Sequence, residues 1–233
     1  MTASSVIAAL CLPADARVDQ RVPKKLLVEN GAPTAADKRQ INGGIEELHW
    51  LAALKPATIG VPIFRDDNRE YLEIAVLALT LRAGAKAPRL TELIHRAIPY
   101  PVFLIQSQPG GLALSLAHLR WSQGQSGQTV LDGPLSTATV DADTPATNDV
   151  LASLNVTAQP RQHLHALYQG WMERFEAHAA ARLTGSFTLV LDAAAAERRR
   201  ARAGKETQLN RRVALNLQLK KLESRLAEAA THF

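Results

Sequence analysis

Hydrophobic positions crowd into residues 71–121, and their spacing changes along that stretch. Residues 72–81 are apolar on both parities except at Glu73 and Thr80, which predicts a strand covered on both faces and central in its sheet. From Pro88 the spacing turns helical, with Leu90, Leu93, Ile94 and Ala97 on one face and Glu92, His95 and Arg96 off it. Pro99 and Pro101 bracket Tyr100, remove two backbone donors and force an extended exit into residues 102–105. A turn at Pro109-Gly110-Gly111 opens a further strand, where Leu112, Leu114 and Leu116 line a face that runs on into His118 and Arg120.

Earlier in the chain, residues 6–10 suit a short helix or strand, and residues 22–25 an extended step around Pro23. Thr34 and Asp37 have the spacing of a capping box. The helix they open carries Ile41, Ile45, Leu48, Leu51 and Leu54 on one face, with Gly43-Gly44 as its weak point. Residues 57–64 read as an edge strand, and Asp66-Asp67-Asn68 as the turn of a hairpin into residues 71–81. After Trp121 comes a Ser-Gly-Gln loop, then one more strand within residues 129–135.

Residues 136–160 are rich in Thr, Ala, Asp and Pro and poor in large apolar groups. Beyond them Leu164, Leu167, Trp171 and Phe175 recur at helical spacing up to Thr184-Gly185. A second helix is expected over residues 187–203 and a third through Leu209, Val213, Leu215, Leu219, Leu222 and Leu226, whose 3- and 4-residue steps suit a helical hairpin or short coiled coil. The fold class expected is α+β: a mixed, largely antiparallel sheet of about five strands flanked by helices, then the C-terminal hairpin. The boundaries drawn are a core at 1–140, a linker at 141–160 and a basic helical region at 161–233.

Charge sharpens that division. The net charge of +5 is unevenly placed: from Ala193 on, ten Lys or Arg face four Glu, which leaves the rest of the chain at −1. The lone Cys11 excludes an intramolecular disulfide and fits a reducing compartment. No apolar run reaches the roughly 18 residues of a membrane span, and no Lys or Arg precedes residues 6–12, so a cytoplasmic location with no membrane contact is expected.

Motifs for phosphate loops, dinucleotides, serine hydrolase elbows and zinc are absent, so no cofactor and no metal are expected. His163 and His165, two residues apart, do not share a helix face and read as surface histidines. Glu73 is the carboxylate that stands out, because a strand buried on both faces must pair it, protonate it or leave it at the sheet's end. Restriction-type nucleases set an acid, then acid-x-lysine, on a central hairpin to hold a divalent metal. Asp66, Asp67 and Glu73 mimic the acids, but Ala75 stands where the lysine belongs.

Lys24, Lys25, Arg96, His118 and Arg120 could form a basic rim for phosphate or be scattered solvated cations. Tyr100 and Trp121 could be stacking platforms or core. Arg198, Arg199, Arg200, Arg202, Lys205, Arg211 and Arg212 spread cations around helices where few acids neutralise them, an array suited to a DNA or RNA backbone or to an acidic protein face.

Several strings occur together: RVPKK at 21–25, ADKRQIN at 36–42, REYLEIAVLALTLR at 69–82, ELIHRAIPYPVFLI at 92–105, AHLRWSQ at 117–123 and GKETQLNRRVALNLQLKKLESRL at 204–226. With them the chain resembles a bacterial family catalogued as domain of unknown function number 4391. The resemblance covers nearly the whole chain and brings no catalytic residues with it. It implies a defence-island setting, near helicase and DNA methyltransferase genes, and an accessory part in restriction or antiphage systems. The first reading is therefore a non-catalytic accessory subunit that touches nucleic acid, a helicase or a methyltransferase through its basic tail. The second is a degenerate metal-dependent nuclease using Glu73 with Asp66 or Asp67, and the third a homo-oligomer formed through the C-terminal helices.

Overall fold

A computed structural model describes residues 2–108, 111–125, 127–140, 145–184 and 186–230. Backbone contacts divide the chain into two units, Met1–Glu176 and Ala177–Phe233. The fold is α+β, with a mixed six-stranded sheet in the first unit.

In order, the first unit carries α1 (Ala3–Leu10), β1 (Arg17–Arg21), α2 (Lys24–Gly31), α3 (Ala35–Gly44), β2 (Ile45–Leu54) and α4 (Pro56–Ile59). There follow β3 (Phe64–Arg65), β4 (Glu70–Tyr71), β5 (Ile74–Leu81), α5 (Ala87–Ala97), β6 (Val102–Gln108) and β7 (Gly111–Leu116). β8 (Leu119–Trp121), β9 (Thr129–Leu131), β10 (Ser136–Val140) and α6 (Pro145–Ala152) lead into α7 (Leu164–Thr184), within which the division falls. The sheet runs β1-β2-β5-β6-β7-β10, and β3-β4 and β8-β9 are small separate hairpins. Among the described residues only β5 and β6 pair in parallel, and α5 supplies the crossover such a pair requires.

Burial on both faces of β5 explains its unbroken hydrophobicity. Leu77 and Leu79 face a cluster with Leu27 of α2, Ile41 of α3 and Leu90, Leu93 and Ile94 of α5. Ile74 and Val76 face the opposite cluster, with Val6 and Leu10 of α1 and Leu167, Trp171 and Phe175 of α7. The helix α2 approaches α5 so closely at Gly31 that an added Cβ would stand 2.6 Å from the Cβ of Ala97. His95, expected off the apolar face of α5, is fully buried instead, with Nε2 2.9 Å from Ser115 Oγ.

Several expectations are corrected. Thr34 does cap α3, accepting from Asp37 N at 3.1 Å, but the helix stops at Gly44. Ile45–Leu54 is a strand paired to β1 and β5: two successive glycines end the helix, and pairing on both edges outweighs the fortuitous helical spacing of Ile41, Ile45 and Leu48. Lys24 and Lys25 begin a helix rather than extending one step further, since Pro23 stops the strand and suits the position before a first turn. Of residues 57–64, the first three belong to the helical turn Pro56–Ile59 and Phe64 alone is in a strand. Of the turn expected at Pro109-Gly110-Gly111, Pro109 and Gly110 lie outside the described residues, as does Gly185.

The stretch expected as a linker includes α6, and its Leu154 and Val156 are buried in the α1- and α7-facing cluster. Their neighbours are small and polar, so composition alone hides two buried anchors. Residues 161–176, expected with the helical region, belong to the sheet unit through Leu164, Leu167, Trp171 and Phe175.

The second unit contains the end of α7, then α8 (Phe187–Lys205) and α9 (Leu209–Ala230), which pack on each other. No helix among the described residues is long and apolar enough to cross a membrane.

Candidate functional site

The hairpin of α8 and α9 holds the charge excess. Ser186 caps α8 by accepting from Leu189 N at 3.4 Å, and Gly204 sits one residue inside its end without breaking it. Ala196 and Ala203 of α8 and Leu222 of α9 are buried, with Leu215, Leu219 and Leu226 half-buried at the 3- and 4-residue spacing of a packing seam. Inter-helical polar contacts lock that seam. Arg200 donates to Glu223 Oε1 at 2.6 Å and also pairs with Glu197, Arg225 pairs with Asp192, and Arg199 Nε donates to Gln218 Oε1 at 3.3 Å.

These contacts sort the basic residues into two groups. Arg199, Arg200 and Arg225 hold the hairpin together, and Arg198 is exposed beside them. Arg202, Lys205, Arg211, Arg212, Lys220 and Lys221 are exposed and form no ion pair with any described residue. They run from the end of α8 across the connection and along α9. On α9 an apolar stripe, Leu209, Val213 and Leu217, is left 63%, 48% and 60% exposed at i, i+4 spacing, and Lys221 continues the same line.

The acidic candidates do not come together. Glu73 is buried, 5% exposed, and its Oε2 lies 2.9 Å from Lys55 Nζ, an ion pair that ties the entry of β5 to the end of β2. That carboxylate raises the Lys55 ammonium above its ordinary value, first through the hydrogen bond between them. Asp66 is consumed locally: its Oδ1 accepts from Asn68 N and Arg69 N, both at 2.8 Å, which lowers its pKa and closes the β3-β4 turn. Asp67 is exposed in that turn. Among the described residues no three His, Cys, Asp or Glu form a group that could hold a metal ion.

Nor do the rim residues gather. Lys24 donates to the carbonyls of Asn42, at 3.3 Å, and Ile45, and its pKa is lowered by burial and then by Arg82 and Arg21. Lys25 lies 3.7 Å from Glu29, Arg96 2.8 Å from Glu92 and Arg120 3.7 Å from Asp132. His118 is held below its ordinary pKa by burial, so it adds no charge at neutral pH.

His118 instead belongs to an assembly that sequence reasoning missed. Gln169 Oε1, 2.9 Å away, can only accept, so it fixes the proton of His118 on Nε2 and leaves Nδ1 to accept from the Tyr71 hydroxyl. The ring of His165 stacks on His118 at 5.0 Å and on Phe64 at 4.8 Å, and burial pushes its pKa down to about 4. His163 caps α7, accepting from Ala166 N at 3.0 Å. Tyr168 lies beneath, donating to Val102 O at 2.7 Å and accepting from Ala117 N at 2.8 Å. These contacts pin both small hairpins to α7. Partners 47 and 51 residues apart leave no local signal in the sequence.

Residues 10–226 match the family model described as Domain of unknown function (DUF4391). The chain belongs to that family. No curated protein and no solved structure matches it.

Proposed function

We propose that this DUF4391 protein is a non-catalytic accessory subunit of a restriction or antiphage system, in which the sheet unit is a scaffold and the α8-α9 hairpin binds the phosphate backbone of DNA or RNA. One observation carries the reading: six cations, Arg202, Lys205, Arg211, Arg212, Lys220 and Lys221, stand exposed with no ion pair to any described residue, on a hairpin whose Asp192, Glu197 and Glu223 are spent on its own arginines. Charges of one sign left in water repel each other, and a polyanion relieves that repulsion while releasing its counterions. A helicase or DNA methyltransferase is the class of partner the family resemblance implies. Glu73 enters the reading as a structural ion pair with Lys55, not as a nuclease ligand.

The test is binding of the full chain to a labelled duplex at low salt, compared with a variant carrying Arg202→Ala, Lys205→Ala, Arg211→Ala and Arg212→Ala. These four leave the inter-helical contacts of Arg199, Arg200 and Arg225 intact. A loss of about tenfold or more is expected for a site built on several phosphate contacts; unchanged affinity sinks the proposal.

A second reading rests on the exposed Leu209, Val213 and Leu217. Such a stripe on a helix suits another helix, including that of a second copy. Sedimentation of the full chain and of a variant with all three changed to Ser tests it: a dimer that the variant abolishes supports self-association, and a monomer in both rejects it.

A further inference from the structure

We propose that a groove in the sheet unit binds a planar heteroaromatic ring bearing an amino group, the chemistry shared by an unpaired base of a single strand and a free nucleoside. The groove encloses about 560 Å³ and is lined by Tyr100, Trp121, Leu72, Glu70, Gln128 and Arg96, among others. That volume lies within the usual range of small-molecule sites. Tyr100 and Trp121 are both only half-buried and line the same concavity, and Leu72 is left 40% exposed there. Two aromatic side chains and a leucine partly open to water on one concave surface offer apolar area that a flat ring can cover.

The lining is held in place before any ligand arrives. Tyr100 sits between Pro99 and the buried Pro101, whose carbonyl accepts from Ala75 N of the central strand at 2.9 Å. Trp121 donates its backbone N–H to Asn68 O at 2.7 Å and pairs with Thr129 across the β8-β9 hairpin. A backbone fixed beneath both side chains limits the freedom lost on binding. Charge on the lining is balanced, since Glu29 pairs with Lys25, Glu70 with Arg65 and Arg96 with Glu92. Such a site selects neither a metal ion nor an isolated phosphate. Arg65 engages Oε1 of Glu70 at 2.6 Å, and the carboxylate retains capacity to accept from an exocyclic amine. The hairpin cations play no part here, so this site and the proposed hairpin interface stand or fall separately.

The test uses the full chain and follows Trp fluorescence during titration with adenosine, cytidine and uridine, then with a single-stranded oligonucleotide and the duplex of the same sequence. Saturable quenching by adenosine and cytidine, weaker by uridine, is expected, together with a loss of tenfold or more, read for the variants by titration calorimetry, in Trp121→Leu and Tyr100→Leu proteins whose melting is unchanged. A single strand that binds far more tightly than the nucleosides identifies the strand as the source of the base; equal affinities identify the free nucleoside. To keep the hairpin out of the oligonucleotide arm, those titrations are repeated in the variant with the four hairpin cations changed to Ala. Absence of saturable quenching by every nucleoside and by the single strand overturns the proposal, as does full affinity in both the Trp121 and Tyr100 variants.

Discussion

The two units treat charge in opposite ways. In the sheet unit, cations at the element ends are tied to carboxylates across long sequence distances: Arg89 grips Asp37 at 2.9 Å, Lys55 grips Glu73, and Arg69 lies 2.9 Å from Asp132. In the hairpin, three arginines are spent on packing contacts and six further exposed cations pair with no described acid. The sheet unit also exposes Arg17, Lys38, Arg39 and Lys86, but acids balance its cations in number, and a region near neutrality gains little from a charged partner. The region whose charges remain unmatched is the one that gains, which is why composition of the whole chain, at +5, understates what one segment can do.

Stability experiments can break that contrast, and the core of the sheet unit should show the largest effect. Trp171 is fully buried, meets Phe103 at 4.9 Å and donates Nε1 to Leu154 O at 2.8 Å. Trp171→Ala is expected to cost about 3–5 kcal/mol in urea unfolding. Tyr168→Phe should cost about 1–3 kcal/mol, because it strands the buried N–H of Ala117. Losses below those ranges would mean that the α7 face of the core is not where the scaffold gets its stability.

Acid provides a third comparison. Burial pushes His95 down to about 3, and the salt-linked Asp37 sits at about 2, lowered first by its hydrogen bond to Arg89. Both folded values lie below the unfolded ones, so each contributes stability that is present above the unfolded pKa and is lost as pH falls toward the folded one. For His95 that window runs from about 6.5 to about 3, with a slope of up to about 1.4 kcal/mol per pH unit. Asp37 adds its loss only below about pH 4. Unfolding free energy measured from pH 7 to pH 4 should fall, and a His95→Gln variant should flatten the fall; an unchanged slope would contradict the buried neutral histidine. The smallest effect belongs to the hairpin, where Arg202→Ala or Lys205→Ala should leave the unfolding midpoint unmoved, as expected for exposed side chains that pair with no described residue.

What the sequence made legible follows the same line. The central strand and α5 were readable because their spacing is set by burial on defined faces, and the hairpin because Leu215, Leu219, Leu222 and Leu226 keep helical steps. The β2 strand was not, since Ile41, Ile45 and Leu48 imitate a helix and only pairing with β1 and β5 decides otherwise. At the site level, the cationic segment was visible, but not its division into packing and free residues. That division depends on which acids α8 and α9 bring opposite each other. The Tyr71-His118-Gln169 contacts depend on distant segments and had no local signature, and although Tyr100 and Trp121 stood out as possible stacking platforms, their meeting in one groove did not show.

If the exposed cations of the hairpin meet a polyanion, duplex affinity must depend steeply on salt. Each phosphate contact contributes a slope of about −0.9 to log K against log salt. The account predicts a steep slope for the full chain that shallows by about 2 to 4 when Arg202, Lys205, Arg211 and Arg212 are replaced by Ala. The same slope in both proteins would contradict it.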